Sequence, residues 1–347
     1  MLPLTEALRA GRDLAPAEAE SAAVALLDSS RPESERADFL RALSAKGESP
    51  EEIEAFVRVF LARAVDPGIV EAELSGPVLD IVGTGGDRMN FFNVSTTAMF
   101  ILAGGGVSVV KHGNRAVTSK SGGADVLEAL GVRIDLPPER FAATVREAGL
   151  GFLFAPLYHP AFKAVAPVRR LLAAEGGRTI FNLLGPLLNP ARPSRQVIGV
   201  YDEALGPVFA HQMERLGRRK AWVVHGRTSE GQGMDEVSIL GPTQVWEWSG
   251  QRHAEHSIHP ERFDLEPGLI DDLLGGDAAT NAAITKGILD GTIRDARRRM
   301  AGVNAAAGFV VAGLAADLDS GIAMARESID SGAAAERLQA LVRVTNK

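Results

Sequence analysis

From Pro77 onward, short runs rich in β-branched residues alternate with stretches of helical spacing, and this alternation restricts the fold of the 347-residue chain more than any other feature. The runs 78–82, 107–110, 132–135, 151–154, 196–201 and 220–224 read as strands, with helices between them, among them 124–130 and 138–148. Strands that alternate with helices build a mostly parallel central sheet flanked by helices, which places the chain in the α/β class. The residues before about 70 carry helical signals only. In the fourth of these segments Ser49 is placed to cap, Pro50 suits the first helical position, and Glu52 completes a capping box. Ile53, Phe56, Val57, Phe60, Leu61 and Ala64 then form one apolar stripe, which must be covered by a small bundle or by a second copy of the chain. Pro16 and Pro32 open two earlier helices in a similar way. Pro- and Gly-containing stretches near 66–76 and 184–194 are where the chain is expected to cross between layers or domains.

The first strand stops abruptly in Gly83-Thr84-Gly85-Gly86-Asp87, and Asn93, Ser95 and Thr96 follow at the start of the next helix. Ligands of α/β sheets lie beyond the carboxyl ends of strands. Glycines let backbone N–H groups approach an anion, and a helix N-terminus attracts one. Arg88 stands where a dinucleotide fingerprint needs its third glycine, and no Gly-Lys-Ser/Thr follows, so neither of those motifs is present. Phosphate binding and a plain tight turn both remain open for this stretch alone. A second loop after a strand gathers Lys111, Arg115 and Lys120 with Thr118, Ser119 and Ser121 before another helix, a set suited to a phosphorylated ligand or to a solvated basic loop.

Asp235 and Glu236 form an adjacent acid pair after a Gly-rich loop, able to reach magnesium directly or through water, although such pairs are also common on surfaces. The stretch 158–193 holds His159, Lys163, Arg169, Arg170 and Arg178, with Pro186 and Pro190 stiffening its end. Arginine is the usual fork for a carboxylate. His253, His256 and His259 recur every third residue, but their surroundings read as strand and turn, which sends neighbouring imidazoles to opposite faces. They are expected to be surface residues, and the run Arg297, Arg298 and Arg299 a solvated helix face.

Net charge is −7, which disfavours a nucleic-acid partner. Cysteine is absent, so thiol chemistry, disulfides and cysteine-ligated zinc are excluded. No apolar run approaches the roughly 18 residues of a membrane span. The opening residues carry charges where a secretion signal needs an apolar core, so a cytoplasmic location is expected.

Taken in order, GTGGD at 83–87, NVST at 93–96, KHGNR at 111–115, RTIFNLLGPLLNP at 178–190 and MDE at 234–236 resemble the anthranilate phosphoribosyltransferase family over nearly the whole chain. The resemblance implies a small all-helical domain, residues 1–75 joined by helices within about 159–190, and a larger α/β domain, residues 76–347. It also implies a homodimer through the helical domain and an active site in the cleft between domains. The family joins anthranilate to 5-phosphoribosyl-1-pyrophosphate (PRPP), releasing pyrophosphate, in tryptophan synthesis. Carried over by position, Gly83, Gly86, Asp87, Phe91, Asn93, Val94, Ser95 and Thr96 would hold PRPP from the first loop. Lys111, His112, Gly113, Asn114, Arg115, Ala116, Val117, Thr118, Ser119 and Gly123 would hold it from the second. Gly83, Asn114 and Arg169 would meet anthranilate, and Ser95, Asp235 and Glu236 would hold two Mg²⁺ ions. No side chain is expected to act as acid or base, because the attacking aromatic amine is already neutral at pH 7.

The chain departs from the family pattern at Arg88 (usually glycine), at Phe91 (commonly threonine) and at Gly123 (often serine). Three extra residues lie within 171–177. Two other readings are a nucleic-acid-binding relative without catalysis, which the acidic balance opposes, and a nucleoside phosphorylase, which Arg169 and KHGNR oppose.

Overall fold

The structure is a computed structural model that describes residues 1–87, 89–116, 120–176, 178–263 and 268–347. Arg88, Val117, Thr118 and Ser119 lie outside the described residues. The chain divides into two compact units, one of Met1–Asp66 with Ala155–Pro190, the other of Pro67–Phe154 with Ala191–Lys347.

The first unit is helical. Helices Leu2–Arg9, Pro16–Leu26, Glu33–Lys46 and Pro50–Leu61 are joined by the returning helices Ala155–Tyr158, Ala166–Ala174 and Phe181–Leu184. The fourth helix starts as its sequence dictates: Glu52 N–H donates to Ser49 Oγ at 3.2 Å, and Ser49 N–H donates to the Glu52 carboxylate at 2.8 Å. Its apolar stripe is covered within the unit. Phe60 meets Phe162 edge-on at 5.0 Å and Phe181 face-on at 5.8 Å, so the returning segment supplies the cover without a second copy of the chain. Phe56 and Phe60 are each 1% exposed or less, and truncating either ring would cost about 3–5 kcal/mol.

The second unit is built on one sheet. Among the described residues its strands are β1 (Val78–Gly83), β2 (Ser108–Gly113), β3 (Leu150–Phe154), β4 (Arg195–Gly199), β5 (Lys220–Arg227), β6 (Gly233–Met234), β7 (Thr243–Trp248) and β8 (His253–Ile258). The order is β3-β2-β1-β4-β5-β7-β8, with β6 beside the end of β5. The five strands from β3 to β5 are parallel; β6 and β7 pair antiparallel with β5, and β8 pairs antiparallel with β7. The order reverses between β1 and β4, the switch point at which open α/β sheets leave a crevice. The nearly all-buried helices Val94–Gly104 and Ala296–Ala312 form the main core of the unit.

The strand expected at 132–135 does not form. Val132 and Ile134 are buried while Arg133 and Asp135 face out, which reproduces strand alternation in the sequence. The Arg133 N–H donates instead to Thr345 Oγ1 at 3.2 Å, so a helix rather than a strand receives this segment. His253 and His256 do alternate along β8, their rings 4.7 Å from Trp248 and 5.3 Å from Trp222. No described helix is long and apolar enough to cross a membrane.

Candidate active site

The strands β1 and β4 both end in glycine, and Gly83 and Gly199 are register partners at the switch point. The chain then turns through Gly85 and Gly86, at φ +68° and +92°, conformations that disfavour any side chain. The segment after β6 lies over this edge. A Cβ on Gly83 would fall 2.2 Å from Asp235 Oδ2, and one on Gly199 would fall 1.6 Å from the Asp235 backbone carbonyl. A Cβ on Gly226, in β5, would fall 2.3 Å from the Glu236 carbonyl. Three neighbouring strands therefore carry glycine where the acid pair rests on them. Asp235 Oδ2 accepts the Gly85 N–H at 2.7 Å.

Crowded carboxylates resist ionisation. Burial, and then the neighbouring Asp87, push Asp235 up to about 7. Burial and then Asp235 hold Glu236 well above the ordinary carboxylate range, with Lys111 opposing. Lys111 comes from β2 and is 4% exposed. Its ammonium donates to the Ile81 carbonyl and to Ser95 Oγ, the latter at 3.1 Å. Burial lowers its pKa, while Asp80, Glu236 and Asp235 pull it back up. Ser95 lies in the first turn of helix Val94–Gly104, and its backbone N–H donates to the Glu236 carboxylate. The structure thus brings Gly83, Gly85, Ser95, Lys111, Asp235 and Glu236 to one place, although the sequence spreads them over four segments.

Asn93 precedes the same helix but does not cap it with its side chain. Its Oδ1 accepts from Asn281 at 2.8 Å, and its Nδ2 donates to the Ser121 carbonyl at 3.3 Å. Thr96 is buried, and His112 is buried in β2. The second loop is braced by the helix that follows: Asp125 accepts the N–H groups of Ala116 and Gly122, each at 2.9 Å. Arg115 extends over the Phe154 ring at 5.5 Å and pairs with Glu128.

A family model described as "Glycosyl transferase family, a/b domain" matches residues 75–335, and one described as "Glycosyl transferase family, helical bundle domain" matches residues 2–64. The chain is 42% identical to an anthranilate phosphoribosyltransferase of Chlorobaculum parvum, covering 99% of this chain and 96% of that protein. With the Rubrobacter xylanophilus protein of the same name it shares 44% identity over 99% and 98% of the two chains. The chain belongs to the anthranilate phosphoribosyltransferase family. Solved anthranilate phosphoribosyltransferases agree in fold. The Thermus thermophilus structure superposes with a TM-score of 0.88 at 39% identity, covering 99% of each chain. The Saccharomyces cerevisiae structure in complex with PRPP and Mg superposes at 0.87 and 27% identity, covering 99% of this chain and 97% of that one. This anthranilate phosphoribosyltransferase-family chain is accordingly a glycosyltransferase enzyme.

Its departures have local causes. Phe91 pairs with Leu274 through its backbone and packs its ring against the core, in place of a hydroxyl. A Cβ on Gly123 would stand 3.1 Å from Thr96 Oγ1, so the glycine leaves room beside that threonine. The helix Ala166–Ala174 runs on into the extra residues, and Arg169, on its exposed side, places its guanidinium 5.0 Å from the Phe181 ring centre. His159 is not exposed: its Nε2 lies 2.9 Å from the Leu188 carbonyl, and it stacks on Phe162. Sequence reasoning missed Gly199, Gly226, Asp125 and Asn304. Gly199 stood inside the expected strand 196–201 and Gly226 two residues beyond the expected strand 220–224, and Asp125 three residues after Gly122 is a capping position. Asn304, one amide in an alanine-rich helix, gives no signal in sequence.

Proposed function

We propose that this chain transfers the 5-phosphoribosyl group of PRPP to the amine of anthranilate, giving N-(5-phosphoribosyl)anthranilate and pyrophosphate, a step of tryptophan synthesis. The observation that carries this reading is the Asp235–Glu236 pair laid across glycine-ended strands, beside a glycine turn, a helix N-terminus and the buried Lys111. In the reaction the amine nitrogen bonds to the anomeric carbon, the bond from that carbon to the pyrophosphate oxygen breaks, and the nitrogen then sheds a proton.

Negative charge grows on the departing pyrophosphate, so the protein's task is to place donors and cations there. The turn at 83–87 with Asn93, Val94, Ser95 and Thr96 supplies N–H groups and hydroxyls, and Lys111 to Ala116 with Gly123 supply a second cradle; the PRPP contacts assigned to Val117, Thr118 and Ser119 fall outside the described residues. Asp235, Glu236 and Ser95 would hold Mg²⁺. The donors fit: two crowded acids whose pKa values rise without a cation favour one. Mg²⁺ is held by one or two carboxylates together with water and substrate phosphate oxygens, and an adjacent acid pair suits that demand. Mg²⁺, when bound, supplies Lewis-acid charge to the leaving group. Two such ions belong to this reading. Gly83, Asn114 and Arg169 are assigned to anthranilate, with the Arg169 fork on its carboxylate. A homodimer through the helical unit completes the reading, and light scattering tests it.

The test is loss of anthranilate fluorescence on adding PRPP and Mg²⁺. Asp235→Asn combined with Glu236→Gln should abolish metal-dependent turnover while the circular dichroism spectrum stays unchanged. Undiminished turnover would overturn the assignment of the two acids.

A further inference from the structure

The residue after the acid pair, Val237, is gripped by one side chain from a distant helix. Asn304 is 1% exposed and sits within Ala296–Ala312. Its Oδ1 accepts the Val237 N–H at 2.8 Å. Its Nδ2 donates to the Val237 carbonyl at 3.0 Å and to the Met300 carbonyl at 2.9 Å. The amide gives Val237 the donor and acceptor that a neighbouring strand would give. The same segment already rests on Gly83, Gly199 and Gly226. It is therefore supported on one side by three glycines and gripped through its backbone by one asparagine.

We infer that Asn304 is a positioning residue for the reaction: it fixes the backbone that carries Asp235 and Glu236, so that both carboxylates are in place before metal and PRPP arrive. The inference rests on the reading of those acids as the metal-holding pair. Helix packing alone does not account for Asn304. Its neighbours Ala305, Ala306 and Ala307 are fully buried, and burying an amide among them is unfavourable unless its hydrogen bonds are made. Two of its three bonds go to Val237. An aspartate here would keep the bond from the Val237 N–H but turn an oxygen toward two carbonyls. A leucine would fill the space and leave both Val237 groups unpaired.

The test uses the full chain and compares Asn304→Asp and Asn304→Leu with Val303→Ala. Val303 is a buried neighbour that lines the groove toward helix Leu318–Asp330. Each variant is titrated with Mg²⁺ plus inorganic pyrophosphate, and binding is read as the rise in melting temperature above its own metal-free value. Both Asn304 variants should bind about 10- to 100-fold more weakly, the scale seen when groups behind metal ligands are removed. Their KM for anthranilate should stay within about twofold of the parent, since only the metal and pyrophosphate end is displaced. Val303→Ala should lose melting temperature but bind normally. Equal weakening in Val303→Ala, or normal binding in the Asn304 variants, would overturn the inference. Asp235→Asn with Glu236→Gln separates the two claims. If that variant binds like the parent, the acid assignment fails; if it loses binding while the Asn304 variants do not, only the role of Asn304 fails. Hydrogen exchange on the unmodified, metal-free chain checks the grip without any substitution. The peptide containing Val237 should exchange as slowly as the core helices, and rapid exchange there would equally overturn the proposal.

Discussion

The Gly85 N–H donates to Asp235 Oδ2 at 2.7 Å, joining two segments 150 residues apart. One bond links the turn after β1, assigned to PRPP, with an acid assigned to the metal. The turn can form because Gly85 adopts φ +68°, and the acid can reach it because Gly83 has no side chain in between. The glycines of the first motif therefore serve two purposes: bending the chain and leaving space for a carboxylate.

Gly83→Ala separates those purposes. The added methyl would lie 2.2 Å from Asp235 Oδ2, the end of a side chain that can swing away. The acid then leaves the Gly85 N–H while the strand persists. A displacement of about 1 Å at a reacting centre costs on the order of 10²-fold, so kcat/KM should fall by about that much with little change in melting temperature. Gly199→Ala meets a backbone carbonyl at 1.6 Å, which cannot swing away, and should lower stability and turnover together. Parallel turnover and melting assays on the two variants check the contrast, and equal melting losses would count against it.

Glu128→Gln addresses the second loop. Arg115 Nη2 donates to Glu128 Oε1 at 2.8 Å, and Asp125 lies 3.3 Å from Nη1. If Arg115 is to hold a phosphate of PRPP, Glu128 competes for it. Exposed pairs of this kind are worth at most about 1 kcal/mol, so the substitution should lower the KM for PRPP by about two- to fivefold. The KM for anthranilate should not move. Steady-state kinetics with each substrate varied decide the matter, and an unchanged or raised KM for PRPP would remove Arg115 from the PRPP contacts.

What the sequence revealed and what it hid follow from range. The strand end at Gly83 was legible because a β-branched run and glycines are neighbours in the chain, whereas β2 runs three residues past the expected end at 110 and takes in Lys111, His112 and Gly113. The Ser49–Glu52 box was legible because its partners are three residues apart. The 132–135 run misled because its alternation is real but its partner is the helix Ala333–Thr345, which no local pattern announces. The stripe of the fourth helix was correctly read as buried, yet its cover, Phe162 and Phe181, comes from a segment about a hundred residues later. Asn304 grips Val237 from 67 residues away, and an isolated amide in an apolar helix has no signature until the fold closes.

Glu52 should prove the most sensitive charge in the helical unit. Its side chain is fully buried, and its carboxylate accepts from Leu14 N–H at 2.9 Å, Ser49 N–H at 2.8 Å and Lys46 Nζ at 2.8 Å. Removing one member of a buried, hydrogen-bonded ion pair costs about 3–5 kcal/mol; Lys46 keeps Asp13 as a partner, but the Leu14 and Ser49 N–H groups lose their acceptor. Glu52→Ala should therefore lower the urea midpoint of the chain far more than Ser49→Ala, whose lost cap costs about 1 kcal/mol. Comparable midpoints for the two variants would mean that the helical unit does not depend on this pair.

His159 gives the helical unit a pH dependence of defined sign. It is 4% exposed, with Nε2 placed to donate to the Leu188 carbonyl, and burial lowers its pKa from the ordinary 6.5. Below 6.5 the unfolded chain takes up a proton that the folded chain does not, so stability rises with pH through this window. The contribution is complete above about 6.5 and is lost as pH falls toward the lowered folded value, by at most about 1.4 kcal/mol per pH unit. His159→Phe keeps a ring against Phe162 and removes the titration, leaving the Leu188 carbonyl short of a donor at a cost of roughly 1 kcal/mol. Urea midpoints at pH 7.5 and pH 5.5 should show the variant below the parent at the higher pH and the gap narrowing at the lower one. A constant gap would mean that folding leaves the His159 pKa unshifted, and a gap that widens on acidification would mean that the fold raises it; either would count against a buried, neutral His159.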